Sequence, residues 1–282
     1  MYEIALSVAA CVRSGTRVDV AWLFGEGPGD EALAFTPGGG RVGELASGAF
    51  DGVLGDIAGR QLPQGRRIAH TVTELEAMLS GLPAGHMVDF MVVPGTQFPS
   101  ELWARLMDRE AVALEVDVQG DEVLKVRISD NSSGHREDSA EGSTIVSRFA
   151  PIPRLIVAGP GPIADALCAQ GALLGWKVSA ALRPEVVAGL TATLSVTDAV
   201  VVLGHDVEVA GGCLMAALQS NAGYIGAVGS HAMQQARADW LAYRDVTDLE
   251  RVHGPAGLDI GSTTPGEVAV AIAAQIIATQ AF

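Results

Sequence analysis

The segment GPGPIA, residues 159–164, combines glycines and a following apolar run in a spacing suited to holding an anion on backbone amides. It follows the short apolar stretch RLIVA (154–158) and precedes IADALCAQGALLG, whose spacing is helical. Gly159 permits a tight turn, and Gly161 lets a pyrophosphate approach the N–H groups at a helix start, where the dipole favours negative charge. AVGSHAMQQ (227–235) repeats that arrangement: Gly229 ends a strand, Ser230 is a natural N-cap, and His231 falls on the first turn. A charged imidazolium is disfavoured there, so a neutral or solvent-facing His231 is expected. In LGHDVE (203–208), His205 and Asp206 form either an acid–base pair or, as adjacent residues seldom face one proton, a bystander and a helix cap. Asp259 is the lone charge of HGPAGLDIGSTT (253–264); it either faces a ligand or closes an Asx-type turn.

The other half of a dinucleotide fingerprint is missing. An acid to hold a ribose hydroxyl belongs at the end of the second strand, about 20 residues on. Here VSAALRPE places Ala181 and Leu182 in that position, followed by Arg183, which either meets a phosphate or opens a surface loop before Pro184. NAD(P) is therefore less expected than another phosphate-bearing ligand. The three cysteines, Cys11, Cys168 and Cys213, lie far apart with no CxxC and no histidine spacing suited to zinc, so no metal site is expected. Their sparse, odd number fits a reducing cytoplasm.

The elements that must position these residues fall into two groups. After 150, short apolar strands (154–159, 177–182, 198–204, 223–229) alternate with helices, which predicts an α/β unit: a Rossmann-like parallel sheet with helices on both faces. Before it, strands at 18–25, 31–36 and 86–95, a hairpin over 112–128, helical spacing over 42–58, and a helix over 99–110 capped by Ser100 predict a smaller α+β domain. SDNSSGHREDSAEGST (129–144) has Ala140 as its single apolar residue and predicts a mobile linker. The expected division is 1–128, a linker over 129–150, and 151–282. Thr264-Pro265-Gly266-Glu267 fits a capping box. The helix beyond it is apolar all round, as for a helix buried on every side, most simply between the sheet and a second subunit. Hydrophobic residues make up 49% of the 282 residues, consistent with a homodimer interface. The net charge of −15 excludes a nucleic-acid partner on electrostatic grounds. MYEIALSVAACV lacks a basic n-region and reads as a first helix, not a signal peptide, and no apolar run reaches the length of a membrane span.

YIGAVGSHAMQQARADWL followed by RVHGPAGLDIGSTTPGEVAVAIAAQIIA resembles the C-terminal signature of the XdhC/CoxI family, maturation factors of molybdenum hydroxylases such as xanthine dehydrogenase and CO dehydrogenase. Tyr224, Gly226, Gly229 and Ser230 match its YxGxxGS segment. Pro255, Gly257, Leu258, Asp259, Ile260, Gly261, Thr264, Pro265, Glu267 and Ala269 match the segment that follows. His205 and Asp206 resemble the family's Thr-His-Asp, with Gly204 replacing Thr, and Arg183 matches a family Arg that follows an Asp at the position of Ala181. Upstream, Gly38, Gly39 and Gly40 resemble the family's glycine triplet, but Arg41 stands where Cys is usual, and a later Gly-Cys-Gly-Gly is here SGLPAGHMVDFMVV without cysteine. The resemblance implies an accessory protein without turnover of its own. It would bind the molybdenum cofactor, as molybdopterin or its cytosine dinucleotide, and pass it to an apo-hydroxylase, with a sulfurtransferase supplying the sulfido ligand. The implied contacts are Gly39, Gly40, Arg41, Gly159, Gly161, Arg183, His205, Asp206, Gly229, Ser230 and Asp259. A guanidinium at 41 can neither ligate molybdenum nor relay sulfur as a thiolate does, and suits a phosphate or carboxylate instead. An NAD(P)-dependent oxidoreductase and a non-binding scaffold of the same assembly pathway are the alternatives.

Overall fold

The computed structural model describes residues 1–24, 31–129, 136–139 and 142–279. The chain divides into two compact units, Met1–Pro151 and Ile152–Phe282.

The first unit runs α1 (Ala5–Ser14), β1 (Asp19–Phe24), β2 (Ala32–Phe35), β3 (Arg41–Glu44), α2 (Asp51–Arg60), β4 (Arg66–Thr71), α3 (Glu74–Ser80), β5 (Met87–Pro94), α4 (Leu102–Met107), β6 (Val112–Gln119), β7 (Glu122–Ser129), β8 (Arg136–Ser139) and β9 (Gly142–Phe149). The strands form one sheet in the order β3-β2-β1-β5-β4-β7-β6-β9-β8, every pair antiparallel. β1 and β5 lie in its interior, and their segments 20–24 and 90–93 are apolar on both faces. Val20, Trp22, Met91 and Val93 join the core that includes Leu102 and Leu106 of α4. Ala21, Leu23, Phe90 and Val92 join the one that includes Leu54 and Ile57 of α2. A two-residue side-chain period demands such continuous apolar runs where both faces are covered.

Several expectations are corrected here. The first unit is longer than the second, not smaller. The stretch expected to be a linker contains β8 and β9, and β9 pairs with β6 along its length. Ile145 and Phe149 anchor β9 in the core, and β6 offers a ladder that compensates for the polar composition upstream. Residues 130–135, 140 and 141 of that stretch, and Gly25 with the turn expected over 26–30, lie outside the described residues. The helical spacing over 42–58 resolves into β3 and α2, with a short 3-10 turn at Ala46–Gly48 between them. Ser100 does not cap α4; Glu101 holds the N-cap position without a side-chain bond.

The second unit alternates strictly: β10 (Arg154–Ala158), α5 (Pro162–Leu173), β11 (Lys177–Ala181), α6 (Pro184–Thr191), β12 (Ala199–Val202), α7 (Val207–Leu218), β13 (Tyr224–Ala227), α8 (His231–Ala242), β14 (Val252–His253) and α9 (Pro265–Thr279). The sheet is parallel throughout, in the order β11-β10-β12-β13-β14. Ile156, Val200, Val202 and Ile225 face Val187 of α6, Ala210 and Leu214 of α7, and Leu241 of α8. Leu155, Val157, Val201 and Tyr224 face Ala164 and Leu167 of α5 and Ile272 and Ile276 of α9. Helices therefore cover both sides, as the alternation predicts.

α9 is not buried all round in the protomer. Ala269, Ile272, Ala273 and Ile276 form its buried stripe, while Val270 (47%) and Ile277 (51%) are exposed. A helix in an outer layer has one packed face however apolar its composition. Its polar Gln275 ties the loop after β14 to β13, with Oε1 accepting from Tyr224 Oη at 2.7 Å and from Gly257 N at 2.7 Å.

Candidate anion site at the edge of the parallel sheet

In this strand order the chain leaves β10 toward β11 on one side and later returns to β12 on the other. Loops diverge from the carboxyl ends at such a switch point and open a crevice, the usual ligand position in open α/β sheets. The two glycines of the loop after β10 serve different ends. Gly159 has φ +129°, and a Cβ there would lie 2.5 Å from the carbonyl oxygen of Leu203, so only glycine lets the β10 and β12 loops meet backbone to backbone. Gly161, with φ +116° and ψ 174°, is the N-cap of α5, and a Cβ there would meet nothing within 4 Å. Among the described residues no side chain caps α5. Pro162 brings no N–H and Asp165 N donates to Gly161 O at 3.1 Å, which leaves the amides of Ile163 and Ala164 without an intrahelical partner beside the open position at Gly161, an arrangement suited to phosphate oxygens.

The starts of α7 and α8 are occupied, while α6, like α5, has no side-chain cap among the described residues. Asp206 Oδ1 accepts from Glu208 N at 2.9 Å and Val209 N at 3.1 Å, so this carboxylate caps α7, and His205 beside it is exposed. Asp206→Ala is expected to lower stability by about 1 kcal/mol, measured by denaturant unfolding, with the affinity for a phosphate ligand little changed. Ser230 Oγ accepts from Met233 N at 3.4 Å at the start of α8, and His231 is exposed on the first turn. Gly229 (φ +140°) precedes it, with Met233 Sδ 3.0 Å from the position of a Cβ. Arg183 stands at the N-cap of α6, exposed, two residues beyond the end of β11, whose Ala181 carbonyl accepts from Gly159 N at 2.9 Å. It is thus a long-armed cation one strand away from the Gly161 cradle.

The capping box before α9 forms as expected. Glu267 Oε2 accepts from Thr264 N at 2.9 Å, Thr263 N at 2.8 Å and Thr263 Oγ1 at 3.0 Å, while Thr264 Oγ1 accepts from Glu267 N at 3.3 Å. Hydrogen bonds from the Thr264 and Thr263 amides, in that order, lower the Glu267 carboxyl from 4.5 to about 2. A depressed carboxylate contributes stability that is complete above the unfolded value and is lost as pH falls through the folded one. Glu267→Gln is therefore expected to flatten the loss of stability between pH 4.5 and about 2, read by unfolding titrations of both proteins. Asp259 is exposed and, among the described residues, accepts no hydrogen bond, so the expected Asx-type turn is not made.

Arg237 was not among the expected site residues. It is 2% exposed, and its Nη2 donates to the Gly204 carbonyl at 2.7 Å and its Nη1 to the Val228 carbonyl at 2.9 Å. It thereby fastens the loop after β12 to the loop after β13. The signal was present: Met233, Arg237 and Leu241 recur at i, i+4, i+8, which sets an arginine into the apolar stripe of α8. Gln234 adds to the same brace, with Nε2 donating to the carbonyls of Ala227 at 2.9 Å and Gly229 at 3.2 Å.

Gly39 and Gly40, in the first unit, are spent on local structure. Gly39 N donates to Thr36 O at 3.0 Å, Gly40 N to Thr36 Oγ1 at 3.1 Å, and Thr36 N to Gly40 O at 2.9 Å, closing the turn between β2 and β3. The triplet leads into a strand, not directly into a helix, and the Gly39 and Gly40 amides are engaged within the turn. Arg41 pairs with Asp51 at the start of α2, at a half-exposed position. Burial raises the pKa of the Cys168 and Cys213 thiols, and Cys11 is half-buried. No group of three or more His, Cys, Asp or Glu suited to a metal ion occurs among the described residues. Among them, too, no helix is long and apolar enough to cross a membrane.

Residues 155–276 match the family model of the XdhC Rossmann domain. A search of curated proteins gives no match. Among solved structures, one described as a xanthine dehydrogenase from Bacillus halodurans is similar at 18% identity over 98% of this chain and 95% of that one, with a TM-score of 0.48.

Proposed function

With a C-terminal unit that belongs to the XdhC family of Rossmann domains, we propose that this chain is a maturation factor that binds the molybdenum cofactor and delivers it to an apo-hydroxylase of the xanthine dehydrogenase or CO dehydrogenase type. The observation that carries the reading is the Gly161 cradle: a glycine with open space above it, at an uncapped helix start beside the switch point. The phosphate end of molybdopterin, or the pyrophosphate of its cytosine dinucleotide, fits that chemistry, with the α5 amides as donors and Arg183 as a nearby cation. The metal end finds no such match, since the thiols that burial perturbs are pushed toward the protonated form and Arg41 occupies the family's cysteine position. This favours a carrier that grips its cargo by the phosphate and leaves the metal to another protein, a sulfurtransferase included. Delivery, not turnover, is the activity assigned, in the cytoplasm. The exposed Val270 and Ile277 of α9 supply an apolar surface for a homodimer. For NAD(P), the buried Ala181 ends β11 where a ribose-binding acid is needed, which disfavours the oxidoreductase alternative.

Anaerobic purification from cells that make the cofactor, followed by molybdenum and pterin analysis, tests this. Stoichiometric pterin with molybdenum supports the carrier. A bound nicotinamide nucleotide instead establishes the oxidoreductase, and a protein without either ligand establishes the scaffold.

A further inference from the structure

Alongside α8 lies a cavity of about 330 Å³ bounded by β14 and α7, with apolar walls from Leu214, Leu241, Leu249 and Val252 and polar ones from His231 and Arg237. Arg237 is the unusual member. It is a cation 2% exposed whose bonding partners are all neutral: the carbonyls of Gly204 and Val228 and, at 3.4 Å, Gln234 Oε1. A guanidinium carries more N–H groups than these three contacts use, including the one on Nε. No carboxylate among the described residues pairs with it. Carbonyl dipoles solvate a buried charge without neutralising it, and burial here already lowers the Arg237 pKa.

We propose that this cavity is a second ligand site, separate from the Gly161 cradle, that takes a small molecule with one oxyanion on a compact apolar body. The oxyanion pairs with the remaining Arg237 N–H groups, and the body packs against Leu214, Leu241, Leu249 and Val252. Planar donors at fixed geometry suit carboxylate and phosphate oxygens alike. The cavity volume lies at the lower end of the range for ligand sites, which limits the guest to a single ring or a short chain. Because Arg237 also holds the loops after β12 and β13, its occupancy reaches the edge of the sheet without contact to α5.

The test uses the whole chain and three probes followed by calorimetry and thermal shift: benzoate, phenyl phosphate and uncharged benzyl alcohol. Saturable binding of benzoate or phenyl phosphate, with benzyl alcohol inert, is expected, and the tighter of the two identifies the anion class. Arg237→Gln weakens the tighter probe by about ten-fold or more. Should that variant fail to fold, Ala238→Phe serves in its place: it fills the cavity from its wall, leaves Arg237 intact, and abolishes binding while the unfolding temperature stays near that of the parent. Absence of saturable binding at millimolar probe, equal binding of benzyl alcohol, or full binding by Ala238→Phe overturns the proposal. Gly161→Val leaves these affinities unchanged, so failure here is distinguishable from failure of the carrier reading.

Discussion

Gly161→Val is expected, on the carrier reading, to weaken the binding of a pyrophosphate such as cytidine diphosphate by about a hundred-fold, measured by calorimetry, and to strip the proposed cargo from the purified protein. The Val methyls would enter the open space now above Gly161 and displace oxygens from the α5 amides. Backbone strain is the competing explanation, because φ +116° with ψ 174° is a region left almost wholly to glycine. That strain costs about 1–3 kcal/mol, and Gly161→Ala carries most of it while reaching less far into the cradle. Binding by the Ala variant much closer to the parent's than to the Val variant's assigns the loss to occlusion. Parental affinity in both variants would remove the loop after β10 from the site and with it the central support for the carrier reading.

Gly159→Ala has the opposite signature, a large loss of stability with the ligand question secondary. Its added methyl meets the Leu203 carbonyl oxygen at 2.5 Å, and φ +129° adds strain. Neither loop yields easily, since Gly159 N is bonded to Ala181 O at 2.9 Å and Leu203 N to Ala158 O at 2.7 Å. The combined cost is on the order of 3 kcal/mol or more, which lowers the unfolding temperature by about 10 °C in a domain of this size. Thermal unfolding followed by circular dichroism reads it directly. An unchanged transition would mean that the β10 and β12 loops do not pack as described.

These two glycines also mark where reading residues in order reaches its end. Both belong to one fingerprint, whose spacing assigns Gly159 to a tight turn and Gly161 to the approach of a ligand. The fold adds what the spacing does not hold: Gly159 is required by the loop after β12, whereas Gly161 has open space beside it and is held to glycine by its own backbone angle. The local features were readable because their causes are local. A cap is settled by residues within one turn, so the Thr264–Glu267 box, Asp206 on α7 and Ser230 on α8 all follow from the letters around them. The parallel sheet was readable as well, because apolar strands covered on both faces have no other composition open to them.

The order of residues, then, was enough for the kind of most elements, the caps that start several helices, and the family signature over the second unit. Which amides remain available was settled in three dimensions. The fold used those of Gly39 and Gly40 to close a hairpin, left those of α5 uncapped, and turned a polar stretch into strands by giving β9 the edge of β6. It also placed Arg237 beneath the carbonyls of two loops. The physical reason is the same in each case. A hydrogen-bond donor is satisfied or open according to what lies beside it in space, and those neighbours come from strands and loops far away along the chain.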